Sequence, residues 1–352
     1  MTKRAIGRTL IVLLLAGFFF MSFSGQATAK DFYEGKVLRI LVCCSPGGFY
    51  DRWARLFARH LGKHIPGKPD IIVQNMPGAG SLIAANYVYN IAKQDGTAIV
   101  MPLAGLYLDQ VVGRKEVRFD IAKFQWIGTQ EVSQTVLFCR SDSKYTNIDA
   151  LIKNKKEPAR IGNTGTAGNS FLIGKVLEQG VGANFNFVMG YAGGSEVDLA
   201  VERGEVLCRG MSSAPFFGRE PFLTWRKNKF VTEIAQSGSE RDPRIKDTPT
   251  LSELMEKHNA PELVRSMSKV IFASGQFGRP FAVAPGVPAD RVKILRDAYA
   301  AALNDPDLAA EAKKGRMVPF KLTRGEDLQE LAKSVVSQPK EVVDGVKALL
   351  GR

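Results

Sequence analysis

The sequence predicts an α/β fold of two lobes, each a doubly wound, mostly parallel sheet with flanking helices. Three observations lead there. Strand-like and helix-like patterns alternate as β-α-β-α-β from residue 37 to 101, and the same order returns from 160 to 208. Such alternation specifies a parallel sheet covered by helices on both faces. The first strand reads as a continuous apolar run, as strands buried on both faces do. The strand–helix junctions are rich in glycine.

In the first unit, strands are expected at 37–43, 71–73 and 98–101, with helices at 49–61 and 81–91. Thr146, with Asp149 three positions on, is the expected cap of a helix starting at Asn147. The second unit places strands at 160–162, 185–188 and 206–208 and helices at 170–179 and 194–203. The C-terminal third is helical. One helix covers 288–304, Asp305 caps a second with Pro306 in its first turn, Thr323 and Glu326 form a capping box for a third, and a last helix follows Pro339. These helices are expected to pack back on the first lobe, which would hold residues 30–135 and about 215–352, leaving about 136–214 to the second. Residues 215–247, rich in Arg, Lys, Pro and aromatics, carry no clear pattern.

Lys3, Arg4 and Arg8 precede an apolar run at 10–23, followed by Ala27, Thr28 and Ala29. This is a secretory leader, residues 1–29, with cleavage expected near Ala29. The run falls short of the roughly 20 residues of a membrane span, although an uncleaved anchor is the alternative. Export to the periplasm makes nucleic acid an improbable partner. The formal charge of +13 becomes +10 once the three leader cations, which have no acid among them, are removed. Basic residues spread along the chain fit anionic solutes, or simply a basic solvated surface.

The four cysteines, Cys43, Cys44, Cys139 and Cys208, do not have zinc spacing. Cys43 and Cys44 are neighbours in an expected strand, so their side chains should point to opposite faces and not easily bridge each other. Cys139 and Cys208 sit in apolar strand-like runs. An oxidising compartment permits a disulfide between them, but two buried thiols acting as small hydrophobes is the favoured reading.

The functional signal lies in four junctions, at 45–48, 75–81, 163–170 and 190–195. Glycine there lets the backbone approach a ligand. Each junction opens a helix, whose free N–H groups and partial positive charge suit an anion. In a parallel sheet these junctions lie at the carboxyl ends of the strands, where ligands bind. Four or five charge-assisted hydrogen bonds of roughly 1.5–3 kcal/mol each exceed the roughly 8 kcal/mol of micromolar affinity before entropic costs. Competing motifs fail. Gly78-Ala79-Gly80 begins a dinucleotide fingerprint, but Ile83 stands at its third glycine position, and no P-loop or Gly-x-Ser-x-Gly elbow occurs. His60 and His64 enclose no glutamate and are read as the solvated end of the first helix; His258 stands alone. No metal or cofactor is expected.

At these loops the sequence resembles the extracytoplasmic solute receptors of tripartite tricarboxylate transporters, the Bug family. The resemblance covers roughly residues 36–340. It rests on Pro46-Gly47-Gly48 with Asp51, on Asn75-x-Pro77-Gly78-Ala79-Gly80, on Asp95-Gly96-Thr97, on Tyr191-x-Gly193-Gly194, on Gly204-Glu205-Val206, on Asp247-Thr248-Pro249-Thr250, on Pro285-Gly286-Val287-Pro288 and on the helix start at Asp305-Pro306. It implies a type II-like periplasmic binding protein whose two lobes close on a carboxylated ligand, with the transporter's membrane subunits as partner and a monomeric state. It also implies that the loop from Ser45 to Asp51 contacts the ligand, partly through water, that Thr164, Gly165, Thr166 and Ser170 grip a carboxylate, and that Tyr191 to Gly193 line the second lobe. The expected ligand set is therefore Ser45, Pro46, Gly47, Gly48, Phe49, Asp51, Gly78, Thr164, Gly165, Thr166, Ser170, Tyr191, Gly193 and Ser212. The chain departs from the family at Phe49 and Tyr50, Met76, Met189-Gly190 and Met211-Ser212. The rings at 49 and 50 would either narrow the pocket or stack on a flat ligand, or Phe49 packs inward with its helix. A mono-, di- or tricarboxylate, aromatic or not, fits this reading. Two other functions remain open: a periplasmic sensor, and a small-acid enzyme with Asp51 as the only nearby base.

Overall fold

The computed structural model describes residues 32–44, 46–163, 165, 168–191, 194–317 and 321–351. The leader and four of the expected ligand residues, Ser45, Thr164, Thr166 and Gly193, lie outside the described residues. No helix among them is long and apolar enough to cross a membrane.

The chain opens with β1 (Val37–Val42), α1 (Phe49–His60), β2 (Asp70–Asn75), α2 (Leu82–Asn90), β3 (Ala98–Met101), α3 (Leu106–Val111) and β4 (Gln125–Thr129). It then crosses to a second sheet through β5 (Thr135–Arg140), α4 (Ile148–Lys153), β6 (Ala159–Gly162), α5 (Asn169–Val181), β7 (Phe185–Val188), α6 (Gly194–Glu202), β8 (Cys208–Ser212), α7 (Ser213–Gly218), α8 (Phe222–Lys227) and β9 (Val231–Gln236). The return runs through α9 (Leu251–Lys257) and α10 (Glu262–Phe272) to β10 (Phe281–Val283), α11 (Ala289–Leu303), α12 (Pro306–Lys314), β11 (Thr323–Arg324), α13 (Gly325–Val336) and α14 (Lys340–Leu349).

The result is two mixed sheets with flanking helices, a two-lobed α/β architecture. The first has the order β11-β4-β10-β3-β1-β2 and the second β7-β6-β8-β5-β9. Each has a parallel nucleus, β2-β1-β3 and β7-β6-β8. The antiparallel strands β4, β5, β9, β10 and β11 are added where the chain crosses or returns. No βαβ crossover sets their direction there. Because β9 pairs with β5, the chain leaves the second sheet only after Gln236, later than the boundary expected near 215.

The local causes are visible in the side chains. β1 lies between two parallel neighbours and buries Leu38, Ile40, Leu41 and Val42. α1 buries Trp53, Ala54, Leu56 and Phe57, one stripe of a helix. The Phe57 ring stacks on Tyr299 of α11 at 4.6 Å and meets Phe281 of β10 at 5.0 Å. The far end of α1 is not free in solvent. His60 Nε2 lies 2.8 Å from Glu311 and His64 Nε2 lies 3.0 Å from Asp305, so His60 fastens α1, and His64 the 3-10 turn after it, to α12.

Asp305 caps α12, accepting from the Asp307 amide at 2.9 Å, with Pro306 beside it as expected. Two other caps differ from expectation. Asn147, not Thr146, is the extended cap residue of α4, accepting from the Ala150 amide. Thr323 is paired with Thr129 in β11, so α13 starts after it without a side-chain cap.

The cysteines also differ. Cys139 and Cys208 face each other in the antiparallel register of β5 and β8, with Cα atoms 4.0 Å apart, and are joined as a disulfide. The register overturns the buried-thiol reading. The β1 ladder ends at the pair Val42 and Asn75. Cys43 and Cys44 therefore escape strand alternation, and their sulfurs lie 3.0 Å apart instead of on opposite faces.

Candidate functional site

The first junction is built around Asp51. This residue is 2% exposed. Its Oδ2 accepts from the Gly47 amide at 2.8 Å and from Arg55 Nε at 2.9 Å, and its Oδ1 accepts from Asn75 Nδ2 at 2.9 Å. Burial pushes its carboxyl up, but the hydrogen bonds from Arg55, Gly47 and Asn75 outweigh it and hold the group below its usual value. An acid so occupied is a poor general base; it shapes the turn of Pro46, Gly47 and Gly48, which stand exposed ahead of α1. The amino end of α1 has no side-chain cap among the described residues, the arrangement in which a helix start can serve an outside partner.

The second junction is unusual in backbone. Gly78, Ala79, Gly80 and Ser81 have φ of 131°, 47°, 66° and 87°. Four positive-φ residues in a row turn the chain sharply into α2. A Cβ on Gly78 would lie 2.5 Å from Ile83.

A cavity of about 400 Å³ lies between the junctions of the two sheets, a size usual for small-molecule sites, roughly 300–1,000 Å³. The first sheet's side contributes Tyr50, Gly80, Leu103, Ala104 and Gly105, the second sheet's side Asn169, Leu172 and Ser212, and the crossing segments Ser133, Gly275 and Arg279. The crossings touch each other here: the Ser133 amide donates to Gly275 O at 2.9 Å, and a Cβ on Gly275 would lie 2.8 Å from Ser133 O. Tyr50 braces the wall, its hydroxyl donating to Gly278 O at 3.2 Å and accepting from the Ala104 amide at 3.1 Å. Of the two rings that sequence singled out, Tyr50 lines this cavity. Phe49 lies in a 60 Å³ hollow with Glu131, Ser213 and Met317, its ring meeting Trp53 edge-on.

Arg279 is the cavity's buried cation, 7% exposed. It is ion-paired with Glu131 and lies over the rings of Phe49 at 4.3 Å and Tyr50 at 5.2 Å. Gly278 makes this possible. Its φ is 59°, and a Cβ there would fall 1.6 Å from Glu131 O.

A second hollow of about 260 Å³ adjoins the first, with Asn169 and Ser212 in both walls. It lies at the amino ends of α5 and α6, lined by Gly168, Ser170 and Gly194 together with Arg209 and Arg219. Gly168 is the cap position of α5, which has no side-chain cap among the described residues. Arg209, 7% exposed, is ion-paired with the buried Asp198, which Arg219 Nη2 also approaches at 3.3 Å. Gly194 lets the guanidinium in, since a Cβ there would lie 2.7 Å from Arg209 Nη2. Burial, then Arg219, push the Arg209 guanidinium down to about 9, so it remains cationic at neutral pH. Two guanidiniums share one carboxylate, leaving one positive charge uncompensated among the described residues of this hollow.

The expected residues thus divide. Ser212 lies in both walls and Ser170 in the smaller one. The Ser170 hydroxyl is engaged with β8, donating to Gly210 O at 3.0 Å and accepting from Gly210 N at 2.8 Å, which leaves its peptide amide at the helix start for a ligand. Gly165 and Tyr191 are half-buried and in neither wall, although Gly165 O accepts from the amide of the wall residue Gly168 at 3.1 Å. Pro46, Gly47, Gly48 and Gly78 are exposed turn residues, and Asp51 points into its own loop. Arg209, Arg219 and Arg279 were not singled out from sequence; in a chain this basic, nothing marks which guanidiniums are buried.

A family model described as the tripartite tricarboxylate transporter family receptor matches residues 54–347. A UPF0065 protein of Agrobacterium vitis is 28% identical over 191 residues, 50% of this chain; the match spans about half, 54%, of that relative's length. A ligand-free TctC solute-binding protein from Polaromonas is 20% identical and superposes with a TM-score of 0.68, covering 91% of this chain and 99% of its own. A Rhodopseudomonas palustris protein with adipate is 18% identical, with a TM-score of 0.61, covering 90% of this chain and 98% of its own. At these identities the superpositions establish the shared fold.

Proposed function

Since the chain belongs to the tripartite tricarboxylate transporter receptor family, we propose that it is a periplasmic receptor. It captures a small carboxylate between its two sheets and delivers it, as a monomer, to the membrane subunits of such a transporter. The family is one of receptors, and this chain binds its ligand without converting it. The observation that carries the reading is the pair of adjoining hollows where uncapped helix starts meet buried guanidiniums. Helix N-termini and a surplus positive charge favour an anion. Cations at two places, Arg279 in one wall and Arg209 with Arg219 in the other, favour a ligand with two carboxylates over one. The adipate held by the Rhodopseudomonas palustris protein is of that class. The leader-like amino terminus supports export. The expected ligand loops would supply amides to the same guest, Gly165 from the second sheet's side and Gly48 from the first, the Gly47 amide being held by Asp51.

The test is a melting-shift screen of mono-, di- and tricarboxylates against neutral sugars. A dicarboxylate is expected to raise the melting temperature most, and the acid is expected to be recovered unchanged by NMR after prolonged incubation. A shift with a neutral sugar and none with any carboxylate would overturn the ligand class.

A further inference from the structure

Beyond the ligand site, the end of β1 holds an unusual pair. Cys43 and Cys44 have their sulfurs 3.0 Å apart, in hydrogen-bond contact. They are the free cysteines of a chain whose other two are already joined. Cys43 is 3% exposed, whereas Cys44 is half-buried and therefore reachable. The backbone around the pair is fixed. Asn75 Nδ2 donates to Cys44 O at 2.8 Å, and the same amide group holds Asp51, which in turn holds the Gly47 amide. The contact is thus preset by the fold and not left to chance encounter.

We propose that Cys43 and Cys44 form a redox-active dithiol that closes to a vicinal disulfide by exchange with a disulfide-class oxidant. In the first step the Cys44 thiolate attacks one sulfur of the oxidant, forming a mixed disulfide and expelling one thiolate. In the second, Cys43 loses its proton to solvent and attacks Cys44 Sγ, forming the Cys43–Cys44 bond and expelling the second thiolate. Two electrons pass to the oxidant, and its two thiolates take up the two protons released. The sulfurs need to approach from 3.0 Å to about 2.05 Å; the Cys43 amide stays tied to Met101 O at 3.3 Å, while Cys44 lies past the last ladder pair of β1, so the approach falls mainly to the side chains.

The two thiols are unequal in the way this order requires. The hydrogen bond from Cys43 and the nearby Arg279 charge pull the Cys44 thiol down against burial, while the hydrogen bond to Cys44, then burial, push Cys43 up. The thiol with more thiolate attacks and its neighbour resolves. Closure would also stiffen the turn that follows, at Pro46 to Gly48. Any effect on ligand affinity rests on the proposed function above, whereas the sulfur chemistry does not.

The experiment reads the sulfurs alone. The full chain is reduced under native conditions, freed of reductant, treated with glutathione disulfide, alkylated after denaturation and digested with trypsin. The peptide Ile40 to Arg52 carries both cysteines. It is expected two hydrogens lighter than its reduced form, with no alkyl group and no glutathione. Two alkyl groups on that peptide, or a persistent glutathione adduct in the unmodified sequence, would overturn the proposal. In Cys43→Ser a stable glutathione adduct is expected on Cys44, because no resolving thiol remains. Absence of that adduct in a variant with a cooperative melt would overturn the assigned order of attack.

Discussion

Replacing Arg209 by methionine separates binding from folding. In many proteins, removing one partner of a buried ion pair costs about 3–5 kcal/mol, because the other charge is stranded. Here Asp198 keeps Arg219, whose Nη2 already lies 3.3 Å away, so the carboxylate is not orphaned. Methionine also retains length beside the Phe222 ring, which the guanidinium approaches at 5.6 Å. The stability cost should therefore fall well below that range. Binding should suffer more. The hollow loses its surplus positive charge, and the ligand loses a charge-assisted hydrogen bond of about 1.5–3 kcal/mol. At about 1.4 kcal/mol per tenfold, affinity should fall roughly 10- to 150-fold. Titration calorimetry with the dicarboxylate that gives the largest melting shift measures this, and a thermal melt checks the fold. A well-folded R209M that binds as tightly as the parent would remove Arg209 from the site and with it the argument from surplus charge. Arg219→Met, which removes the exposed member of the trio, should weaken binding less.

Gly165→Val tests the second-sheet loop. A Cβ at Gly165 meets nothing within 4 Å among the described residues, so the fold should tolerate it. A branched side chain at the amide-bearing turn should nevertheless weaken carboxylate binding by about tenfold, the worth of one hydrogen bond; unchanged affinity would remove that loop from the site. Acid titration tests the joint between α1 and α12. Hydrogen bonds from Lys63, then His64 and the Asp307 amide, hold the Asp305 carboxyl well below its usual range. Its folded pKa is depressed, so its stabilisation is fully present above the unfolded value of about 3.9 and is lost as pH falls further. The melting temperature should drop on acidification below about pH 4, and Asp305→Asn should be less stable at pH 7 with a flatter acid slope. An equal acid slope in both proteins would exclude Asp305 as its source.

The parallel nuclei were legible because they follow from local pattern. The apolar run of β1, the Trp53-to-Phe57 stripe of α1 and the glycine punctuation before α5 each fix an element by its own residues. What escaped depends on partners distant in sequence. The pairing of Cys139 with Cys208 needs the antiparallel register of β5 and β8, which no local signal announces. β9 was hidden in a polar, aromatic stretch and joins the second sheet only because β5 offers an edge. Thr323 has the spacing of a capping box, yet a strand partner, Thr129, claims it first. In the candidate site, glycine marked the junctions well. The cations did not show, because burial of Arg209 and Arg279 is set by Gly194 and Gly278, each of which makes room for a contact far along the chain.

The crosslink between Cys139 and Cys208, 69 positions apart, turns the intervening stretch into a covalent macrocycle. Gly165, Ser170 and Gly194 all lie inside that ring, and Arg209 sits one residue beyond its clasp. For a ring of this size, chain-entropy arguments assign about 4 kcal/mol of stabilisation, present only once the thiols have met an oxidant. Fraying from either terminus cannot propagate into the turns at Gly165, Ser170 and Gly194 without opening the bond or melting the whole hoop. For the exported receptor proposed above, the half that carries the second hollow would therefore harden only after the polypeptide leaves a reducing compartment, so that its maturation would be timed by its destination.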